Sequence, residues 1–220
     1  MRRELPDTNK VILPVHGTAL IHHILNYYSS QEIFNQFILC LGSDLIQIKS
    51  SIENSKNYRN LSWNGISMKM IDTGEDSTAT NRINQVLSYI PEDFFFLTYA
   101  DIISNIDFKK LLSFHGNFAF QITMTLTKAK MPYGRVFINE NGQVIGLEEK
   151  PILEDLINAG YFILEKSVFS LGEANLEFES EFLPNLIVKK VKFGGYYHND
   201  FWLGIDTYKD YVFLNDNWEI

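Results

Sequence analysis

Two aspartates stand out because each ends an apolar run abruptly. Asp101 closes Phe94-Phe95-Phe96-Leu97-Thr98-Tyr99-Ala100-Asp101, and Asp206 closes Phe201-Trp202-Leu203-Gly204-Ile205-Asp206 just ahead of a helical pattern. A carboxylate in such a place is either the N-cap of a following helix or a ligand for a hard cation. As a pair the two suit magnesium, which is held by one or two carboxylates plus substrate phosphates and keeps several waters. A cation so held stabilises charge on an α-phosphate as another phosphate attacks it.

Other charged stretches add to this. In Glu148-Glu149-Lys150-Pro151, the lysine is a compact charge suited to a phosphate monoester, and the carboxylates can accept sugar hydroxyl donors; a solvated turn before proline is the alternative. The run Asp72-Thr73-Gly74-Glu75-Asp76-Ser77-Thr78-Ala79-Thr80-Asn81-Arg82 joins a strand to a helix. Hydroxyls and amides at a helix N-terminus suit a nucleobase edge or an anion. Arg82 lies in the first turn, where the helix dipole disfavours a cation, so it needs a partner such as phosphate or base. Lys10 precedes Val11-Ile12-Leu13-Pro14-Val15 and is either a phosphate ligand or a lysine flanking an apolar segment. His22 and His23 are adjacent on a helix, point about 100° apart and do not chelate one ion well; partly exposed packing is expected. His115 and His198 lack ligand spacing to another His or Cys.

The elements that must position these residues alternate. Residues 37–41, 67–71, 94–99 and 120–126 are short, apolar and β-rich, and residues 19–28, 44–52, 80–90 and 107–114 have helical periodicity. Thr18, Ser43 and Thr78 are candidate N-caps for the first three helices. This alternation predicts βαβ units and a mainly parallel sheet covered on both faces. The second half changes character. It predicts a hairpin over 135–149 around Asn141-Gly142, a strand over 160–164, a helix around 181–189, a strand over 191–197 and a helix from Tyr208. No repeat, low-complexity tract or linker interrupts residues 1–220, which predicts a single α/β domain. In open parallel sheets ligands lie beyond the carboxyl ends of the strands, at Gly42, residues 72–74, Asp101 and Glu149-Lys150.

Composition narrows the partners. The chain has 220 residues, 45% hydrophobic, with a net charge of −8. Without a basic stripe to neutralise a phosphate backbone, nucleic acid is not an expected partner. The single cysteine, Cys40, cannot form an internal disulfide and reads as a small buried hydrophobe in a reducing compartment. No secretory signal or membrane-length apolar run is evident, so a cytoplasmic, soluble protein is expected.

In order, these segments resemble the sugar-1-phosphate nucleotidyltransferase family, and within it the glucose-1-phosphate cytidylyltransferases, from about Leu5 to Trp218. Lys10-Val-Ile-Leu-Pro-Val-His-Gly-Thr-Ala-Leu-Ile-His-His-Ile resembles the family's lysine and the "hydrophobic–IGGKPILWHI" run after it. Residues 72–82 are similar to its D-T-G-x-x-x-x-T-G-G-R loop, which implies Thr73, Gly74, Thr78, Thr80 and Arg82 as nucleotide-binding residues. Asp101 falls on a metal-binding aspartate and Glu149-Lys150-Pro151 on the E-K-P motif. Asn158-Ala-Gly160-Tyr-Phe resembles the N-G-G-F-F strand at the sugar, and His198 to Asp210 resemble H-D-G-F-W-x-x-M-D-T-x-R-D, with Asp206 as the second metal ligand.

The likeness implies a Rossmann-like α/β fold with a mostly parallel mixed sheet and a small β-rich sugar-binding part. It implies transfer of a nucleotidyl group from CTP, or another NTP, to glucose 1-phosphate or a similar sugar 1-phosphate. Pyrophosphate leaves, and an NDP-sugar is supplied to surface-glycan synthesis. Magnesium would sit on Asp101 and Asp206. Lys10, Asp101 and Lys150 would be catalytic, and Glu149, Lys150, Asn158 and Gly160 would hold the sugar phosphate.

Three departures carry expectations of their own. The family opens with a buried strand and an L-A-G-G-x-G-T-R-L loop that cradles the triphosphate, whereas Met1-Arg2-Arg3-Glu4-Leu5 begins about where that loop ends. A gap in the sheet is expected there, with exposed edges. An upstream start, a fragment or a lost activity would each account for it. Thr80-Asn81 replace paired glycines near the base, and Ala159 replaces the first glycine near the sugar. The alternative to an enzyme is a non-catalytic binding or regulatory relative with the same fold. Membrane contact is not expected, and the polar-aromatic stretch 193–202 is a candidate surface for a homo-oligomer.

Overall fold

The structure, a computed structural model, describes residues 9–42, 45–54 and 65–217. A 3-10 turn (Lys10–Ile12) and a small hairpin of β1 (Pro14–Val15) and β2 (Thr18–Ala19) lead into α1 (Leu20–Ser30). Then come β3 (Gln36–Leu41), α2 (Leu45–Glu53), β4 (Ser67–Asp72), α3 (Ala79–Val86), β5 (Phe94–Thr98) and β6 (Ile102–Ser104). α4 (Phe108–Phe118) precedes β7 (Ile122–Lys130), the hairpin β8 (Arg135–Ile138) and β9 (Val144–Glu148), and the long β10 (Ile152–Glu165). A π-turn (Phe178–Phe182) runs into α5 (Leu183–Val188), followed by β11 (Phe193–Tyr197), β12 (Trp202–Gly204) and α6 (Tyr208–Asn217). Among the described residues no helix is long and apolar enough to cross a membrane.

The main sheet has the order β11-β7-β10-β5 and is mixed. β11 is parallel to β7, while β10 is antiparallel to both β7 and β5. The sheet is thus mixed, with its antiparallel pairs at β10. Between β7 and β10 the chain makes only the β8–β9 hairpin, and a parallel pair would need a long crossover. β3 and β4 pair in parallel as a separate ribbon.

Strand alternation sends side chains to two cores. Phe94 and Phe96 of β5, with Tyr161 and Ile163 of β10, pack with α1, α2 and α4. Phe95, Leu97, Phe162 and Leu164 face the opposite way, toward α3, the π-turn and α5. Burial on both faces is why these strands read as continuous apolar runs.

Among the described residues no strand lies on the edges of β3 and β5 that face each other. Asn35 Nδ2 donates to Glu92 Oε1 at 2.9 Å, so the two strands start side by side. A cavity of about 610 Å³ is lined by every residue of both.

Smaller expectations shift. Ala19, not Thr18, sits at the N-cap of α1, because Thr18 is held in β2. Ser43 lies outside the described residues. Thr78 does cap α3, accepting from the Asn81 N–H at 3.2 Å. His22 and His23 are buried rather than partly exposed, bonded to the carbonyls of Ser51 and Val15. Cys40 is only half-buried because it borders the cavity, and burial still pushes its thiol pKa up.

Candidate active site

The two aspartates meet through a short antiparallel ladder. β6 pairs with β12 in the register Gly204↔Ile102, so Asp101, just before β6, and Asp206, just after β12, come to the same end. The Ile205 N–H donates to the Asp101 carbonyl at 2.9 Å and fixes this approach. Lys10 Nζ then lies 3.0 Å from Asp206 Oδ1 and 3.6 Å from Asp101 Oδ2. Burial alone would lower the Lys10 pKa. The hydrogen bond and charge of Asp206, followed by the charge of Asp101, outweigh burial and raise it.

Neither aspartate is a helix cap. Asp101 leads into a strand, and α6 is capped one residue beyond Asp206. There the Thr207 hydroxyl accepts from the Asp210 N–H at 3.3 Å, and Asp210 Oδ2 accepts from the Thr207 N–H at 2.7 Å. Asp210 was not singled out from the sequence, although the Thr-x-x-Asp spacing is a capping-box signal. With capping done elsewhere, both carboxylates remain for a ligand. Among the described residues no three His, Cys, Asp or Glu side chains gather. A cation here would have two carboxylates as protein ligands and complete its shell with water or phosphate, which fits magnesium better than zinc.

The segment around Asn158 reaches the same place. Asn158 Oδ1 accepts the Gly160 N–H at 2.9 Å. The Gly160 carbonyl accepts from Tyr99 N–H at 3.3 Å, and the Ala159 carbonyl from Trp202 Nε1 at 2.9 Å. Gly160 has φ +76°, and a Cβ there would run into Ile102, with Tyr99 close by. Glycine is thus required where β10 crosses the approach to Asp101. Ala159 is fully buried and belongs to the first core.

Glu149 and Lys150 are not drawn into this group. Their side chains pair with each other at 3.7 Å, at the turn between β9 and β10. Lys150 holds a left-handed backbone, φ +49°.

The loop between β4 and α3 carries the residues expected at the nucleotide. Arg82 is a strut inside the loop. Its Nε donates to Ser77 O at 3.0 Å, Nη1 to Thr73 Oγ1 at 2.8 Å and Nη2 to Glu75 O at 2.8 Å. Those three oxygens explain a cation at a helix N-terminus without a ligand. The guanidinium lies over Gly42, where a Cβ would stand 2.5 Å from Nη1. Thr73 is buried, and its hydroxyl donates to Leu41 O at 2.9 Å. Thr80 is fully buried, facing the core. The side chains of Thr73, Thr80 and Arg82 are therefore turned inward and committed or enclosed, leaving Gly74 exposed with φ +85° and Thr78 half-buried as the cap.

Asn9, Lys10, Val11, Tyr99, Ala100 and Asp101 line an open cleft of about 420 Å³. Four of them, Asn9, Val11, Tyr99 and Ala100, also border the larger cavity between β3 and β5. The Tyr99 hydroxyl bonds to Glu179 of the π-turn, tying the cleft wall to the second core.

Residues 7–219 match the profile of the family described as nucleotidyl transferase. The "Probable glucose-1-phosphate cytidylyltransferase" of Bacillus subtilis is 30% identical, over 96% of this chain and 89% of that protein. The glucose-1-phosphate cytidylyltransferase of Salmonella typhi is 29% identical, over 96% and 88%. Among solved structures, HddC from Yersinia pseudotuberculosis, complexed with GMP-PN, superposes with a TM-score of 0.73 at 18% identity, over 99% of this chain and 95% of its own.

Proposed function

This chain belongs to the nucleotidyl transferase family, and from that premise we infer that it transfers a cytidylyl group from CTP to glucose 1-phosphate or a similar sugar 1-phosphate. The single observation that carries the reading is the convergence of Asp101 and Asp206 on Lys10 Nζ, at 3.6 and 3.0 Å. Two carboxylates and an ammonium at one cleft match the needs of a metal–triphosphate. The carboxylates would hold magnesium, which when bound offsets phosphate charge in the transition state. Lys10 would turn from the aspartates to the phosphates, and Asn158 and the Gly160 backbone would border the sugar. Lys150 would meet the sugar phosphate from the β9–β10 turn. Catalysis would rest on positioning and electrostatics, without a covalent intermediate.

The likeness to cytidylyltransferases over nearly the whole chain supports CTP. The test is release of pyrophosphate from CTP, glucose 1-phosphate and magnesium. Turnover is expected with CTP above the other NTPs. Absence of turnover with every NTP and a panel of sugar phosphates would exclude the enzyme.

One observation favours a second reading, a non-catalytic relative with this fold. Among the described residues no strand joins β3 to β5, directly behind the cleft. That reading requires that calorimetry show no magnesium-dependent affinity for CTP. Tight, metal-dependent binding would remove it.

A further inference from the structure

Among the described residues Lys10 Nζ meets Asp206 Oδ1 at 3.0 Å and Asp101 Oδ2 at 3.6 Å, and no other acceptor. The backbone that carries it is fixed. Asn9 Oδ1 accepts the Val11 N–H at 3.1 Å, and the Leu13 N–H donates to the Lys10 carbonyl at 3.1 Å. Freedom is left to the side chain, a compact charge on a flexible four-carbon stem.

An ammonium between two carboxylates stands where a divalent cation would bind them. Magnesium–oxygen bonds are about 2.1 Å long, so such a cation and the Lys10 ammonium cannot share the two oxygens. Like charges at this range also repel. The aspartates supply two negative charges, and Lys10 cancels one of them. Among the described residues no third carboxylate, imidazole or thiolate gathers there. One net charge is left to attract a free metal ion.

The exposures set the direction of exchange. The Asp206 side chain is 79% exposed and that of Lys10 34%, so an arriving cation meets Asp206 before it meets the ammonium. Driven off the pair, Lys10 would turn into the cleft it shares with Asn9, Tyr99 and Asp101. Among the described residues no second acid lines that cleft. The Asn9 amide oxygen is bonded to Val11, and the Tyr99 hydroxyl to Glu179. The acceptor that releases Lys10 must therefore arrive with the ligand, and a polyphosphate supplies several anionic oxygens at once.

We propose that Lys10 is a resident counter-ion of the Asp101–Asp206 pair, which closes the pair to a free divalent cation and yields it to one that arrives on a polyphosphate. The exchange moves Lys10 from carboxylate to phosphate, with no covalent step. Metal and nucleotide binding are then coupled, and by linkage each tightens the other. The proposal rests on the reading of Asp101 and Asp206 as metal ligands and is independent of the base and the sugar. The alternative is a structural tie, in which Lys10 only pins its turn to the segment ahead of α6.

The test titrates Mn2+ alone, without nucleotide, into the 220-residue protein and reads free Mn2+ by electron paramagnetic resonance. Lys10→Met removes the charge and keeps an apolar stem, and is expected to bind bare Mn2+ about 10-fold more tightly than the parent. Lys10→Arg keeps the charge and should show no gain. Adding Asp206→Asn to Lys10→Met should abolish the gain, which puts the ion on the pair. Lys10→Gln is a second neutral variant with the same expectation, so the result does not hang on the folding of one protein. The proposal is overturned if neither neutral variant binds bare Mn2+ more tightly than the parent. It is equally overturned if Lys10→Arg shows the same gain, or if the gain survives Asp206→Asn. Should Asp206→Asn alone weaken Mn2+–CTP while neither neutral variant tightens bare Mn2+, the counter-ion role fails and the metal-site reading stands. Should Asp206→Asn leave Mn2+–CTP unchanged, the metal-site reading fails and takes the counter-ion role with it.

Discussion

Replacing Asp206 with Asn separates a structural contact from a metal ligand. Asp206 meets Lys10 Nζ at 3.0 Å, a distance at which two unit charges attract by about 1.4 kcal/mol in bulk water. The Asp206 side chain is 79% exposed, so screening and side-chain entropy reduce the net contribution to between about 0 and 1 kcal/mol. The cap of α6 uses Thr207 and Asp210 and is untouched by the change. For a domain of this size about 1 kcal/mol corresponds to roughly 2–4 °C, so Asp206→Asn is expected to melt within about 4 °C of the parent. The ligand role predicts a far larger effect. Removing one group that stabilises transition-state charge typically lowers turnover by about 100- to 1,000-fold. Free Mn2+, followed by electron paramagnetic resonance during titration with protein and CTP, reads the site without chemistry, and pyrophosphate release reads it with chemistry. Loss of protein-dependent Mn2+ binding with little change in melting supports the assignment. Unchanged Mn2+–CTP affinity refutes it, and a fall in melting temperature beyond about 10 °C would make Asp206 a structural residue.

Three further changes test the supports of the site. Burial lowers the pKa of His22 and of His115 below the usual histidine value of 6.5. Each therefore binds a proton more weakly folded than unfolded, and its stability contribution is present above pH 6.5 and lost as pH falls through that value. The melting temperature should drop between pH 7 and 5.5, less steeply in His115→Gln; an identical slope would rule out His115 as a source. Gly160→Ala and Gly17→Ala share the backbone problem, with φ of +76° and +79°, but only the first drives a methyl group into Ile102. In urea titrations Gly160→Ala should lose at least about 1 kcal/mol more than Gly17→Ala, the scale of an overpacked core, and equal losses would disprove the clash. Arg82→Ala should cost about 2–4 kcal/mol, as three charge-assisted bonds to the loop disappear. Gly42→Ala should be harmful alone yet nearly neutral on top of Arg82→Ala, because the guanidinium it displaces is gone; additive costs in a double-mutant cycle would break this link.

What the sequence revealed depended on how local the determining forces are. β3, β4, β5, α1 and the β8–β9 hairpin could be read within a residue or two, because periodicity and the Asn-Gly turn are local signals. The reversed direction of β10 could not, since it follows from the absence of a crossover helix after β7. The same limit governed the side chains. Arg82 was recognisable as a cation needing a partner, but the sequence does not distinguish a phosphate from the carbonyls of Glu75 and Ser77. Thr73 and Thr80 looked like ligand hydroxyls, and the packing of α3 against β3 turned both inward. The histidines follow the opposite course, polar by type and buried by position, with partners in other elements: His115 meets Thr123 of β7, eight residues on, and His198 meets Ser104 of β6.

Asp101 and Asp206 show why a pair is harder to read than its members. Each was visible as a carboxylate ending an apolar run, and each was equally well explained as a cap. The discriminating facts are the β6–β12 register, set across about a hundred residues, and the Thr207–Asp210 box, which takes over the capping role. The same geometry links the pair to the larger cavity. Tyr99 and Ala100 continue β5 past that cavity to Asp101, and Asn9 does the same for Lys10, so one wall serves both spaces.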